Sequence, residues 1–198
     1  IQGGIGSGKS TLLDCVYCSL YKGKNAWNIR KDYGKEILGK QNIRRSYFID
    51  QRPIGNHATS RPVTYLGIDS SIRKIYSEIS KDLSPVDFIV SKDILENKKF
   101  FSKKVLKIKY KDVNIEELLS LTVDEVIRIF GDISLIKRKL SFLQDVGLGY
   151  LTIGQASKSL SGGEAQRIRL AKVLSKKLGD RCIYIFDIPT KGLHISDF

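Results

Sequence analysis

Hydrophobic positions along the chain alternate between helical spacing and strand-like runs, and this pattern predicts a series of elements. Apolar residues three or four positions apart predict helices over residues 68–79, 135–146 and 161–178, and residues 10–20 are predicted to form the helix that follows a glycine-rich loop. A run rich in β-branched and aromatic residues predicts a strand over residues 43–50, and alternating apolar and basic residues predict a half-buried strand over residues 105–110. A short, continuous apolar run predicts a buried parallel strand over residues 182–186. Residues 51–62 contain two prolines, a glycine and an asparagine, and are predicted to form a loop.

One helix start is marked by a capping signal. Thr122 and Glu125 have the spacing of a capping box and stand directly before the apolar positions Val126, Ile127 and Phe130. The sequence therefore predicts a helix that begins after Thr122.

The composition indicates the class of protein and the compartment in which it is expected. The chain has 198 residues, of which 41% are hydrophobic and 28% charged, as expected of a globular domain with a real core. No apolar run approaches the ~20 residues that a membrane helix needs. The N-terminus lacks the pattern of a signal peptide, and three cysteines fit a reducing interior, so a cytoplasmic protein without a membrane partner is expected.

The net charge of +13 favours a polyanionic partner such as nucleic acid. The alternative is a lysine-rich composition that does not indicate any binding partner. Eight lysines lie between residues 91 and 111, where only Asp93 and Glu96 oppose them. The DNA-binding candidates are Lys98, Lys99, Lys103 and Lys104, for which a solvated lysine-rich face is an equally good reading.

Residues 3–10 read Gly-Gly-Ile-Gly-Ser-Gly-Lys-Ser, which is the spacing of a phosphate loop. Glycines let several backbone N–H groups point at phosphates, Lys9 can reach the β- and γ-phosphates, and Ser10 can ligate Mg²⁺. The alternative is a chance glycine-rich turn, against which the following helix counts. The candidate nucleotide-binding residues are Gly3, Gly6, Ser7, Gly8, Lys9, Ser10 and Thr11.

A second anion-binding segment has the sequence Leu-Ser-Gly-Gly-Glu at residues 160–164, the signature of ABC ATPases. Its serine can cap a helix whose glycines expose backbone N–H groups at the positive helix end. A second γ-phosphate binder in one fold is redundant unless it reaches a nucleotide held by another module. An ordinary serine-capped helix is the alternative. The candidate residues are Ser161, Gly162, Gly163 and Glu164.

Two further residues are predicted to serve catalysis. Asp187 ends the predicted strand 182–186, which is the Walker B arrangement, and would hold Mg²⁺ through water. Gln51 follows the strand 43–50 in the position of a Q-loop glutamine, which senses Mg²⁺ and the attacking water. The chain begins two residues before the first loop glycine and ends soon after Asp187, so a fragment of a longer protein is expected.

Several segments resemble the second nucleotide-binding domain of the UvrA family of excinuclease proteins. They are residues 50–55 (Asp-Gln-Arg-Pro-Ile-Gly), 64–67 (Thr-Tyr-Leu-Gly), 118–130, 143–155 (with Asp-Val-Gly-Leu-Gly-Tyr-Leu) and 187–194. The resemblance implies an α/β fold, an ABC-type P-loop NTPase core with a helical signature subdomain and an insertion between Q-loop and signature. The expected parts are residues 1–52 of the core, an insertion at 53–140 and the signature and Walker B segment at 141–198.

The resemblance also implies a function. Members of the family are DNA-damage recognition ATPases of nucleotide excision repair, with ATP and Mg²⁺ as cofactors. The implied partners are double-stranded DNA, a second ABC module in the same chain or a homodimer, and other excision-repair subunits.

The sequence departs from the family pattern at two places. Residues 52–160 contain no cysteine, so the family's zinc module is not expected, and the Cys15/Cys18 pair lacks a second pair of ligands. Ile188 replaces the glutamate that polarises the attacking water, and isoleucine cannot accept a proton. The hypothesis is that this site binds ATP and hydrolyses it slowly or not at all.

Two other functions remain open at this point. A degenerate paralogue acting as a nucleotide-gated binding protein is favoured by Ile188 and by the absent zinc module. A transporter ATPase subunit is disfavoured by the 110 residues that separate Gln51 from Ser161.

Overall fold

The computed structural model describes residues 6–20, 37–55, 60–89, 101–176 and 180–188. Within these ranges the chain forms two compact units. The residues up to Gln51 and those from Lys176 onwards make up the phosphate-loop unit, and Arg52–Ser175 make up the signature unit.

The elements follow one another in mixed order. They are α1 (Lys9–Leu20), β1 (Arg45–Ile49), α2 (Pro62–Tyr65), α3 (Asp69–Ser80), α4 (Lys103–Leu106), β2 (Lys109–Tyr110), β3 (Val113–Asn114), α5 (Ile115–Ser120), α6 (Val123–Phe130), α7 (Ser134–Asp145), α8 (Gly162–Leu174) and β4 (Cys182–Phe186). Short 3₁₀ turns cover Lys40–Asn42, Pro85–Phe88 and Ser157–Ser159.

In the phosphate-loop unit, β1 and β4 form a parallel pair in which Tyr47 lies opposite Tyr184. The rings of these two tyrosines stack at 5.6 Å. Helix α1 packs against β1, where the rings of Tyr17 and Phe48 are 5.3 Å apart. Both predicted strands are confirmed, and so is the parallel direction predicted for β4. The predicted burial of β4 is wrong, because Ile185 is its one buried residue and the rest of the strand is half-buried or exposed.

The signature unit has a continuous apolar core to which most of its helices contribute. Its fully buried side chains include Ile72 and Tyr76 of α3, Phe130 of α6, Ile136, Leu140 and Leu143 of α7, and Ile168 of α8. Their spacing of three or four residues places them on one face of each helix, as the sequence pattern predicted. The predicted helices 68–79 and 135–146 are confirmed within one residue at each end.

The predicted helix 161–178 is shorter within the described residues, where α8 ends at Leu174. The backbone N–H of Ser175 donates to the carbonyls of Ala171 and Val173, which closes the last turn. Residues 177–178 of the prediction lie outside the described residues.

The predicted strand over residues 105–110 is wrong in its first half. The Ser102 hydroxyl accepts the Val105 N–H at 3.4 Å and caps the one-turn helix α4, so that Val105 enters the core. Only Lys109 and Tyr110 are extended, paired with β3. Six alternating residues fit one helical turn followed by a short strand equally well, and the capping serine decides between them.

Capping boxes begin two successive helices. The predicted box at α6 is confirmed, since the Thr122 N–H donates to Glu125 Oε2 at 2.8 Å and the Glu125 N–H donates to Thr122 Oγ1 at 3.3 Å. Asn114 and Glu117 make the same reciprocal contacts at α5. Across the described part of the chain, none of the helices has the length and apolar character needed to cross a bilayer.

Candidate functional site

The described part of the phosphate loop leads directly into α1. Gly6 and Gly8 both have a φ of +82°, a left-handed conformation that favours glycine. A Cβ at either glycine would meet nothing within 4 Å, so the conformation and not crowding accounts for both glycines. Lys9 is the first residue of α1, and its Nζ donates to Ser7 Oγ at 3.2 Å. Thr11 is exposed in the first turn of α1, and Gly3 lies outside the described residues.

Ser10 and Asp187 are in direct contact although 177 positions separate them in the sequence. The Ser10 hydroxyl donates to Asp187 Oδ1 at 2.8 Å. The Asp187 N–H donates to the Ile49 carbonyl at 3.1 Å, which continues the pairing of β4 with β1 by one residue. The Ser10 hydroxyl lies at the start of α1 and the Asp187 carboxylate follows β4, and oxygen ligands of this kind are those that Mg²⁺ prefers. The two predicted metal-binding side chains therefore fit the ion in chemistry and in mutual position.

Gln51 lies beside Ile188, the residue that follows Asp187. Its Nε2 donates to the Ile188 carbonyl at 3.1 Å. Ile188 has a φ of +48° and is 42% exposed. A positive φ is a strained conformation for a β-branched residue, and such strain is typical of functional positions. The phosphate-loop unit thus brings Ser10, Gln51 and Asp187 to the carboxyl ends of its two strands.

The signature segment begins α8 with a complete capping box. The Glu164 N–H donates to Ser161 Oγ at 3.2 Å, and the Ser161 N–H donates to Glu164 Oε2 at 2.8 Å. Gly162 is exposed and Gly163 is half-buried. Because Glu164 is engaged in the cap, it fixes the helix start around the two glycines.

Tyr150 precedes this segment and contacts it, and sequence reasoning missed this residue. Its hydroxyl donates to Glu164 Oε1 at 2.9 Å, so both carboxylate oxygens of Glu164 have a partner. Burial acts to raise the pKa of Glu164, but hydrogen bonds from Ser161 and Tyr150 and the charge of Arg167 hold that pKa below its usual value. The only signal for Tyr150 was its place in the family-like run 143–155, which assigned it no role.

The predicted DNA-binding lysines are described in part. Lys103 and Lys104 belong to the one-turn helix α4, and both are exposed. Lys98 and Lys99 lie outside the described residues.

No cluster of three or more His, Cys, Asp or Glu side chains suited to a metal ion occurs among the residues that the structure describes. Cys15 and Cys18 lie one turn apart on α1, and both are half-buried.

Curated proteins resemble the chain over its whole length, while no family model matches it. UvrABC system protein A of Clostridium tetani is 40% identical over 235 residues, which cover 100% of this chain and 24% of that protein. The proteins of the same name from Clostridium acetobutylicum and Methanothermobacter thermautotrophicus are 38% and 34% identical, again over 100% of this chain and 24% of each relative. The chain thus spans about a quarter of the length of these relatives.

A solved structure also indicates similarity to UvrA proteins. The crystal structure of UvrA2 from Deinococcus radiodurans aligns with a TM-score of 0.73 at 31% identity, covering 79% of this chain and 23% of that one. The mixed helix-and-strand fold is therefore that of a UvrA segment. Sequence and fold together show that this chain belongs to the UvrA family.

Proposed function

We propose that this chain is one ATP-binding module of a UvrA-like protein that recognises DNA damage in nucleotide excision repair. The observation that carries the proposal is the 2.8 Å contact between Ser10 Oγ and Asp187 Oδ1 beside the phosphate loop. These two side chains would be the Mg²⁺ ligands that a P-loop ATPase requires.

The loop residues have separate roles in this proposal. The open backbone of Gly6 and Gly8 and the ammonium group of Lys9 bind the phosphates of ATP. Ser10 and Asp187 hold Mg²⁺, which supplies positive charge against the phosphate oxygens. The ABC-type core and its Q-loop glutamine, Gln51, belong to the same proposal.

The signature segment serves a second nucleotide. Ser161 and the N–H groups at the start of α8 would contact the γ-phosphate held by another ABC module. That module lies in the same chain or in a second copy of it. The helical signature subdomain and the insertion that precedes it are part of this arrangement, with residues 53–140 as the insertion.

Hydrolysis at this site is proposed to be slow. The side chain of Ile188 cannot accept a proton from water, and the Gln51 amide already bonds the Ile188 carbonyl at 3.1 Å. The same substitution favours a second candidate, a nucleotide-gated binding protein in which ATP closes the module without being consumed.

Double-stranded DNA is the proposed polyanionic partner, with other excision-repair proteins as further partners in the cytoplasm. The net charge of +13 and the exposed side chains of Lys103 and Lys104 support it. Fluorescence anisotropy with damaged and undamaged duplexes tests this part. Exchanging both lysines for glutamine should weaken binding and flatten its salt dependence, compared with the exchange of exposed Lys137 and Arg138, which removes equal charge. Absence of binding at low salt would exclude a DNA-binding role for the chain.

ATP binding is tested with a fluorescent ATP analogue in the presence of Mg²⁺. We expect Lys9→Ala to weaken binding about tenfold or more, because it removes a charge-assisted contact to phosphate. Lys40→Ala, which removes an exposed lysine of the same unit, is the matched control. Equal affinities of the unaltered chain and Lys9→Ala would refute nucleotide binding at this loop.

A further inference from the structure

The signature unit contains an apolar cavity with a volume of about 160 Å³. Its described lining residues come from α2, α3, α5 and the 3₁₀ turn that ends at Phe88, so they belong neither to the phosphate loop nor to the signature segment. We call it the α3 cavity. Its apolar walls are formed by Val63, Ile72, Phe88, Ile89, Ile115 and Leu119.

The walls of the α3 cavity are part of the buried core, and its mouth is not. Val63, Ile72, Phe88 and Ile115 are almost fully buried, whereas Ile89 is 46% exposed. The cavity is therefore reached from solvent on the side of Ile89. An apolar ligand that enters it leaves water on both surfaces, the ligand's and the cavity's, which favours binding roughly in proportion to the apolar area buried.

The polar groups that line the α3 cavity already have partners within the protein. Arg73 Nη2 donates to Asp69 Oδ2 at 2.9 Å, and Arg73 Nη1 donates to the Pro85 carbonyl at 3.4 Å. Thr64 Oγ1 accepts the Arg61 N–H and donates to the Arg61 carbonyl, both at 2.9 Å. A charged ligand, or one with several hydrogen-bonding groups, would lose its hydration without full compensation. The cavity thus favours an uncharged and largely apolar ligand.

Two features of the wall favour an aromatic ring over an aliphatic one. The ring of Phe88 can take a second ring in an offset-stacked or edge-to-face arrangement. The guanidinium of Arg73 donates its hydrogen bonds within its own plane, so its flat face can lie against an aromatic ring. The size fits one ring, because a cavity of about 150 Å³ lined by leucine, isoleucine and phenylalanine binds benzene in another protein.

We propose that the α3 cavity binds one small, uncharged molecule with a single aromatic ring. One polar group on the ring, such as a hydroxyl, would lie at the mouth beside Ile89 and stay hydrated. The ligand is neither a nucleotide nor DNA, so the test is independent of the proposed function.

The test is a titration of phenol into the full chain, followed by NMR of isotope-labelled isoleucine methyl groups at neutral pH, where phenol is uncharged. We expect saturable shifts at Ile72, Ile89 and Ile115, and none at Ile136 and Ile168, which do not line the cavity. Cyclohexanol has a similar size and the same hydroxyl but no aromatic face. It should bind about two- to fivefold more weakly, the contribution of one cation–π contact.

Narrowing the cavity should weaken phenol binding. Ile89→Phe at the mouth and Leu119→Phe in the wall each place a larger side chain where the ligand would lie, and each should weaken binding about tenfold or more. Ile79→Phe is the matched control, since Ile79 is 43% exposed and does not line the cavity. It should leave the affinity unchanged within about twofold. Circular dichroism checks that each variant folds.

Three results would overturn the proposal. They are the absence of saturable shifts at the three cavity isoleucines, an equal loss of affinity in Ile79→Phe, and undiminished affinity in both narrowed variants. Cyclohexanol that binds as tightly as phenol would overturn the assignment of an aromatic ligand.

Discussion

The start of α8 and the end of β4 are both short segments with a nucleotide-binding role proposed for them, and they differ in completeness. At the signature end, residues 161–164, every group of the capping box makes its contact. At the strand end, residues 187–188, Asp187 contacts Ser10, but the next residue is isoleucine. Under the proposed function, the groups for phosphate and metal are present, whereas isoleucine at position 188 cannot activate water.

The two ends also differ in backbone strain. Ser161 has a φ of −65°, an ordinary value for a residue that caps a helix. Ile188 has a φ of +48°, which a β-branched residue rarely adopts. The strand end therefore combines an unusual backbone conformation with a side chain that cannot accept a proton. This difference predicts a module in which ATP acts as a clamp, which means that it holds the module closed without being hydrolysed.

The largest effect is expected from introducing a carboxylate at position 188. Ile188→Glu should raise the ATPase rate of the complete protein about 10²- to 10⁴-fold at this site, the usual contribution of a general base. A steady-state phosphate-release assay measures the rate. Adding Lys9→Ala to Ile188→Glu should abolish the gain, because ATP would no longer be held.

The control for this change is Ile188→Gln, which has the shape of glutamate and cannot accept a proton. If glutamine raises the rate as much as glutamate, the gain comes from relief of strain or from polarity. Robust hydrolysis by the unaltered chain that Lys9→Ala abolishes would contradict the clamp, provided that no second site contributes.

A smaller effect is expected at the signature end. Ser161→Ala removes the hydroxyl that accepts the Glu164 N–H at 3.2 Å and should destabilise the start of α8 by about 1 kcal/mol. Hydrogen exchange of the amides in the first turn of α8 measures this loss. Ser134→Ala, at the first residue of α7 but not at its cap, should change exchange little. Unchanged protection in Ser161→Ala would show that Glu164 alone maintains the helix start.

Local signals predicted the elements on which both ends depend. The strands β1 and β4 and the box at Thr122 were predictable because a strand run or a cap depends on adjacent residues, but the pairing of β1 with β4 was not predicted. The strand predicted over residues 105–110 was wrong in its first half, because the alternating pattern was too short to distinguish a strand from one capped helical turn. The box at Asn114 was equally visible in the sequence and would have identified α5.

Contacts between distant segments could be predicted only through the family resemblance or not at all. The approach of Ser10 to Asp187 follows from the fold that the motifs imply. The bond from Gln51 to Ile188 engages a backbone carbonyl, which carries no sequence signature. Val63 and Ile115 line one cavity although they are far apart in the sequence, and neither belongs to a motif.

The smallest effect is expected at Tyr150, which supports the signature end from outside the motif. Tyr150→Phe removes the 2.9 Å hydrogen bond to Glu164 Oε1 and should cost about 0.5 kcal/mol, the low end for a hydrogen bond, because Tyr150 is 58% exposed. The folded-state pKa of Glu164 should rise, since one of the groups that lower it is gone. Urea unfolding as a function of pH measures both consequences.

The sign of the pH effect follows from the depressed pKa of Glu164. A carboxyl whose pKa is lower in the folded state contributes stability that is present above its unfolded value of about 4.3 and is lost as the pH falls through the folded value. Tyr150→Phe should therefore reduce stability near neutral pH and leave it unchanged well below the folded pKa of Glu164. In the Glu164→Gln background the pH dependence of the difference should vanish. If Tyr150→Phe lowers stability equally at neutral and acidic pH, the hydroxyl acts through a contact that does not depend on the charge of Glu164, such as the one with Arg167.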